Sequence, residues 1–238
     1  MNVFISGGSR GIGRAIALRL ARDGAKRVAI GYMRNDSAAE ETAEELRAAG
    51  TEPVLVRGNI TSRRVLDEVA ALGPLDVLVH NAASGVSKPA LEAEAKHWDW
   101  TMNTNARALL QLAQAAAPGM PDGSSIVAIS SLGAQRVLEN YTLVGTSKAA
   151  LEALVRYLAV ELAPRVRVNG VSGGVVETDA LDAFPNREEM LAAGAANPVG
   201  KMVEPDDIAG AVAFLCSADA GMVCGQTIVV DGGFSLTA

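Results

Sequence analysis

Tyr141 and Lys148 stand seven residues apart in the stretch Tyr141-Thr142-Leu143-Val144-Gly145-Thr146-Ser147-Lys148. A phenol and an ammonium on one helical face can stabilise negative charge that develops on a substrate oxygen. The phenol donates a hydrogen bond, and the cation favours the charged forms around it. On a helix, seven residues span about 10.5 Å along the axis and nearly share a face, whereas four span about 6 Å. The hydroxyl is thus expected two turns before the lysine instead of one. Val144, which has no proton to give, holds the one-turn position. Taken alone, the pair also fits an amphipathic helix with a half-buried tyrosine and a surface lysine.

The segments around this helix alternate between short β-rich and longer helical runs, as repeated βαβ units with a parallel sheet do. Strands are expected near Asn2–Ser6, Arg27–Gly31, Pro53–Gly58, Leu75–His80, Ser124–Ser130, Val166–Val171 and Thr227–Val230. Helices are expected near Gly11–Asp23, Ser37–Ala49, Thr61–Ala71, Glu94–Ala117, Glu139–Leu162 and Pro205–Ser217. At 238 residues, one α/β domain is the expected architecture. The longest irregular stretch, 177–203, carries Pro185, Gly194, Pro198 and Gly200 and is expected to act as a substrate lid.

The first strand runs into Ser6-Gly7-Gly8-Ser9-Arg10-Gly11-Ile12-Gly13, followed by the helical run Arg14-Ala15-Ile16-Ala17-Leu18. Glycines here allow a tight turn and let backbone N–H groups approach a pyrophosphate at the helix N-terminus. The strand–loop–helix context makes this a dinucleotide site and not a simple turn. The second strand ends Gly31-Tyr32-Met33-Arg34, with no carboxylate before Asp36. An acid there would bind a ribose 2′-hydroxyl, whereas Arg10 and Arg34 suit a 2′-phosphate. NADPH is therefore the expected cofactor.

A net charge of -6 argues against nonspecific nucleic-acid binding. The chain shows no signal-peptide pattern, and Arg156 and Glu161 interrupt its best apolar helix. A cytoplasmic protein with two reduced thiols, Cys216 and Cys224, is expected. No histidine–cysteine–carboxylate cluster has metal-ligand spacing. His97 and Trp98 are expected to pack at a helix start, and His80 to end a buried strand. Leu138, Val144, Phe184, Met190 and Met202 are apolar candidates for an acyl-chain groove, or core residues.

Taken with the glycine loop, Tyr141 and Lys148 make the whole chain resemble the short-chain dehydrogenase/reductase family. Asn81-Ala82-Ala83, Ser130-Ser131 and Asp231-Gly232-Gly233 extend the resemblance. Longer strings are similar to the enoyl-acyl-carrier-protein reductase III group (FabL type): His97-Trp98-Asp99-Trp100-Thr101-Met102-Asn103, Ser130-Ser131-Leu132-Gly133, Leu138-Glu139-Asn140-Tyr141 and Phe184-Pro185-Asn186-Arg187-Glu188. The resemblance implies a seven-stranded Rossmann sheet and a homotetramer. It also implies cofactor contacts from Gly7, Ser9, Arg10, Gly11, Ile12, Gly13, Arg34, Asn59, Ile60, Asn81, Ala82, Ala83, Gly174, Val176 and Thr178, as well as Tyr141 and Lys148. Gly173-Gly174 and Thr178 occupy the place of the family's Pro-Gly-…-Thr segment, with the proline missing. Asn105 takes the place of its structural asparagine, and is expected to position a water or backbone group near Lys148. Ser131 lies ten residues before Tyr141 and thirteen before Val144, so it fits either register; it touches substrate or only ends its strand.

The spacing bears on which bond is reduced. In a ketone the carbon that accepts hydride carries the oxygen that needs a proton. In an enoyl thioester hydride enters the β-carbon, and charge appears on the thioester oxygen two carbons away. A displaced donor favours the second case. The expected activity is NADPH-dependent reduction of a trans-2-enoyl thioester, on acyl carrier protein or coenzyme A, with Lys148 binding the ribose and favouring the tyrosinate form of Tyr141. Reduction of a 3-oxoacyl or other carbonyl, and non-catalytic dinucleotide binding, are the alternatives.

Overall fold

The computed structural model describes residues 1–178, 181 and 186–237. Seven parallel strands form one sheet: β1 (Asn2–Ser6), β2 (Arg27–Tyr32), β3 (Glu52–Arg57), β4 (Val77–His80), β5 (Ser124–Ser131), β6 (Val166–Gly173) and β7 (Thr227–Val230), in the spatial order 3-2-1-4-5-6-7. The expected Rossmann-like α/β class is the observed one. Central strands such as Val77-Leu78-Val79-His80 are buried on both faces, which explains their near-continuous apolar sequence.

Alternate residues of β1 feed two cores. Phe4 faces the side covered by α3 (Arg63–Ala71), α5 (Ala108–Ala116) and α6 (Thr142–Leu162), where it joins Leu109, Leu112, Leu151 and Val155. Val3 and Ile5 face α1 (Gly11–Arg22), α2 (Asp36–Ala48) and α8 (Pro205–Cys216), with Ile16, Leu20, Leu46, Ile208 and Val212. Truncating a fully buried leucine such as Leu112 to Ala removes about 2–5 kcal/mol. Among the described residues no helix is long and apolar enough to cross a membrane.

The chain winds outward from β1 to β3, then crosses back to β4, so the strand order reverses between β1 and β4. That reversal opens a crevice at the strands' carboxyl ends, the place where open α/β sheets bind ligands. The register sets Ser6 beside His80 and Ser131 beside Gly173.

Three expected elements differ from the observed ones. The helix expected over Glu94–Ala117 is α4 (Ala95–Met102), a π-helical turn at Asn103–Arg107 and then α5. The helix expected from Glu139 begins at Thr142, because Asn140 takes a left-handed conformation (φ 55) and Tyr141 is the N-cap. Asn tolerates that conformation better than most side chains. The stretch 177–203, expected to be irregular, contains α7 (Arg187–Ala195). Val176 and Val203 form a parallel bridge, so the stretch leaves and rejoins the sheet at one place. A last short helix, α9 (Phe234–Thr237), follows Asp231-Gly232-Gly233.

Candidate active site

The crevice is a cavity of about 1260 Å³. One arm runs over the glycine loop. Gly7 (φ 68) and Gly11 (φ 52) hold backbone conformations that side chains resist, and α1 starts at Gly11 with its N–H groups toward the cavity. Gly13 does not line the cavity. A β-carbon there would collide with the Gly7 carbonyl, so this glycine lets α1 pack onto the loop. Two side chains stitch the loop to the turn after β4. Ser6 Oγ accepts the N–H groups of Asn81 and Ala82, both at 3.1 Å, and Asn81 Nδ2 donates to the Gly7 carbonyl at 2.9 Å.

Ser9, Arg10, Ile12 and Arg34 line the far end of this arm, and Asn59 and Ile60 line its side. Asp36, the first carboxylate after β2, is engaged by Arg57 at 3.3 Å and by the Tyr32 hydroxyl. Burial and that hydrogen bond push the Tyr32 phenol above its ordinary pKa. Asp36 is thus committed to neighbours, and Arg10 and Arg34 line the cavity. Gly174, Val176 and Thr178 complete the wall near the centre, together with Ala82 and Ala83. A β-carbon on Gly11 would press on Thr178 Cγ2 at 3.3 Å, so the loop and this wall leave a slot that only glycine keeps open. These residues fit a dinucleotide.

The other arm holds Tyr141, Ser131 and Lys148. The Tyr141 and Ser131 hydroxyls are 3.2 Å apart. Ser131 Oγ also accepts the Gly133 N–H at 3.3 Å, and keeps both a proton and a lone pair with which to meet the phenol. The tyrosine ring lies against Gly133, where a β-carbon would overlap it, and Gly145 lets α6 approach the Gly133 carbonyl. These two glycines and the Asn140 turn bring Tyr141 to Ser131. Burial raises the Tyr141 pKa, and the Ser131 hydrogen bond opposes this only in part.

Lys148 is 5% exposed and donates to the Ile129 carbonyl at 2.7 Å. Burial lowers its pKa to about 8, against the pull of Glu152 one turn later. Glu152 is itself buried, and accepts from Ser130 Oγ at 2.6 Å and Gln135 Nε2 at 3.0 Å. Sequence reasoning missed this carboxylate, although its position four residues after Lys148 was a signal.

Asn105 is fully buried in the π turn and lies behind the cavity wall, with no place on its surface. Its Oδ1 accepts the Ser84 N–H at 2.8 Å, and its Nδ2 donates to the Ser84 carbonyl at 2.9 Å and to Ser147 Oγ at 2.8 Å. It fixes the Ser84 backbone and the Ser147 hydroxyl beside the site. Of the groove candidates, Leu138 and Met190 line the cavity. Met202 packs on Gly194, Val144 packs on Gly85, and Phe184 lies outside the described residues. Trp100, half exposed, and Phe234 line the same arm and were not anticipated. His97 closes the start of α4 with Glu94, as expected, its Nδ1 accepting the Glu94 N–H at 3.3 Å.

A family model described as enoyl-(acyl carrier protein) reductase matches residues 7–235. The chain is 39% identical to 1-cyclohexenylcarbonyl-CoA reductase of Streptomyces collinus, over 99% of this chain and 87% of that protein. It is 34% identical to L-xylulose reductase of Mus musculus, over 98% and 96% of the two chains. A blue fluorescent protein from a metagenomic library, solved in complex with NADPH, superposes with a TM-score of 0.89 at 36% identity, over 98% of each chain. The chain belongs to the short-chain dehydrogenase/reductase family and resembles its enoyl-acyl-carrier-protein reductases.

Proposed function

We propose that this protein reduces the carbon–carbon double bond of a trans-2-enoyl thioester with NADPH. The observation that carries the reading is the pairing of Tyr141 with Ser131 while Val144 is turned away against Gly85. Of the two positions on this helix face, Tyr141 lines the cavity and Val144 does not. A relative at 39% identity, 1-cyclohexenylcarbonyl-CoA reductase, supports the same choice, because its name is that of a thioester carrying a carbon–carbon double bond. Arg10 and Arg34 at the rim, together with an NADPH-bound neighbour, support the cofactor.

When bound, the cofactor supplies hydride to the substrate β-carbon. Tyr141 donates to the thioester oxygen, where negative charge develops two carbons from the site of attack. That interaction is strongest in the transition state and so lowers the barrier. Ser131 donates to the Tyr141 oxygen, which leaves the phenolic proton directed at the thioester and partly offsets the phenol's loss of acidity. Lys148 would hold the ribose hydroxyls of the bound cofactor through the Nζ hydrogens not given to the Ile129 carbonyl. The α-carbon then takes a proton from Tyr141 or from water, giving the saturated thioester.

Leu138, Trp100, Met190 and Phe234 form the acyl-facing side; of the expected lid, Glu177, Leu181, Asn186 and Glu189 also border the cavity, and residues 179–180 and 182–185 lie outside the described residues. We assign the natural carrier as acyl carrier protein, with the reaction serving fatty acid elongation in the cytoplasm, and the assembly as a homotetramer. Exposed Tyr157 and Val160 on α6 and Phe214 on α8 are apolar surface that such an assembly covers. NADPH oxidation over a series of enoyl chain lengths, on carrier protein and on coenzyme A, tests the reading. Reduction of no enoyl thioester removes it even with the fold intact.

A further inference from the structure

His80 is the last residue of β4, is 1% exposed, and has polar partners on two sides. Its Nδ1 lies 3.0 Å from Ser6 Oγ, and its Nε2 lies 3.0 Å from the Asn105 carbonyl oxygen. The partners dictate the direction of each bond. A carbonyl has no proton, so Nε2 carries the hydrogen and donates it. In a neutral ring Nδ1 is then an acceptor, and it takes the Ser6 hydroxyl proton. Ser6 can give that proton because its oxygen already accepts the Asn81 and Ala82 N–H groups. A second ring proton on Nδ1 would face an oxygen with both lone pairs in use. Burial and the nearby Lys148 charge hold the ring's pKa down to about 4, which agrees with that state.

This chain of bonds joins the two arms of the site. At one end, Ser6 holds the turn that flanks the glycine loop. At the other, Asn105 lies within the π turn, a distortion that needs partners from outside its own helix. Its side chain grips Ser84 and Ser147, and Ser147 directly precedes Lys148.

We propose that His80 is a positioning residue: as the neutral Nε2–H tautomer it clamps the Asn105 carbonyl in the π turn, and so couples the dinucleotide loop to the Ser84–Asn105–Ser147 frame behind Lys148. Its effect on turnover rests on the reductase reading, whereas the clamp itself is testable without substrate. The chain has two histidines, so ¹⁵N NMR of histidine-labelled protein gives two ring patterns, which His97→Gln assigns. At pH 7 the His80 ring is expected neutral with the proton on Nε2. His80→Phe keeps the ring volume without its nitrogens. It is expected to speed exchange of the Ser84 amide at least tenfold while leaving that of Ile5 unchanged. It is also expected to lower kcat at least tenfold with the NADPH KM within threefold. His80→Asn, whose amide offers one donor and one acceptor, is expected to restore most of both. A His80 ring protonated on Nδ1, or wild-type Ser84 exchange in His80→Phe, overturns the clamp. If His80→Phe does not fold, the wild-type tautomer and the Ser84 exchange of His80→Asn decide. Absence of enoyl reduction by the wild-type protein would remove the reductase reading and leave these two measurements standing.

Discussion

Val144 and Gly85 pack so closely that a β-carbon on the glycine would fall inside the valine's Cγ2 methyl. Val144 is 8% exposed and has no place on the cavity surface. The position that would carry a proton donor one turn before Lys148 is filled core. Installing one there must overpack it, at about 1–3 kcal/mol. Val144→Tyr is therefore expected to lower the melting temperature by several degrees and to gain no activity on 3-oxoacyl thioesters, even with Tyr141→Phe beside it. Thermal unfolding and a ketone-reduction assay check this.

Tyr141 and Ser131 act as one donor unit at 3.2 Å. Tyr141→Phe removes the hydrogen bond to the developing charge and is expected to lower kcat by about 10²–10³. Ser131→Ala leaves the phenol in place but less acidic, and is expected to cost about tenfold. NADPH affinity, measured by fluorescence titration, should stay within a few-fold of wild type in both.

Lys148 has a folded pKa of about 8, below its ordinary 10.5. The unfolded chain therefore binds this proton more tightly, and burying the charge costs stability below pH 8. The cost fades as pH rises from about 8 to 10.5. Lys148→Met removes that cost, about 3 kcal/mol at pH 7, along with a hydrogen bond to Ile129 worth about 2 kcal/mol. Its melting temperature at pH 7 is expected to equal or slightly exceed the wild type, with turnover lost. In the wild type, kcat/KM should fall as pH rises through about 8, because it follows the protonated lysine of the free protein.

Arg34 is exposed at the cavity rim, and Asp36 nearby is held by Arg57. A charge-assisted contact with a 2′-phosphate is worth about 1.5–3 kcal/mol. Arg34→Ala is expected to raise the KM for NADPH by about tenfold or more and leave that for NADH nearly unchanged. Steady-state kinetics with the two cofactors check the difference.

Much of this arrangement was legible in the residues. Apolar runs such as Val77-Leu78-Val79 mark buried strands, and the glycines at 7, 11 and 13 place the first helix start. The register of Tyr141 was readable, but its setting was not. The helix begins at Thr142 only because Asn140 turns left-handed, and a periodic pattern carries no sign of that. The π turn is hidden too: Asn103–Arg107 is bracketed by helical residues on both sides, and the run reads from sequence as one continuous helix. Helix α7 sits between Pro185 and Pro198, and those breakers obscured the good helix formers Glu188, Met190 and Leu191. The partners of His80 come from residues 74 and 25 positions away, so only the sheet register and the packing of the π turn bring them together.

The displaced register is tested most directly by NADPH oxidation with crotonyl and acetoacetyl thioesters, measured side by side on wild-type protein and Tyr141→Phe. The expected result is wild-type turnover of the crotonyl thioester to the saturated product, little or none of the acetoacetyl thioester, and loss of the first in Tyr141→Phe. Faster reduction of the acetoacetyl thioester, or full crotonyl turnover without the Tyr141 hydroxyl, would contradict the account.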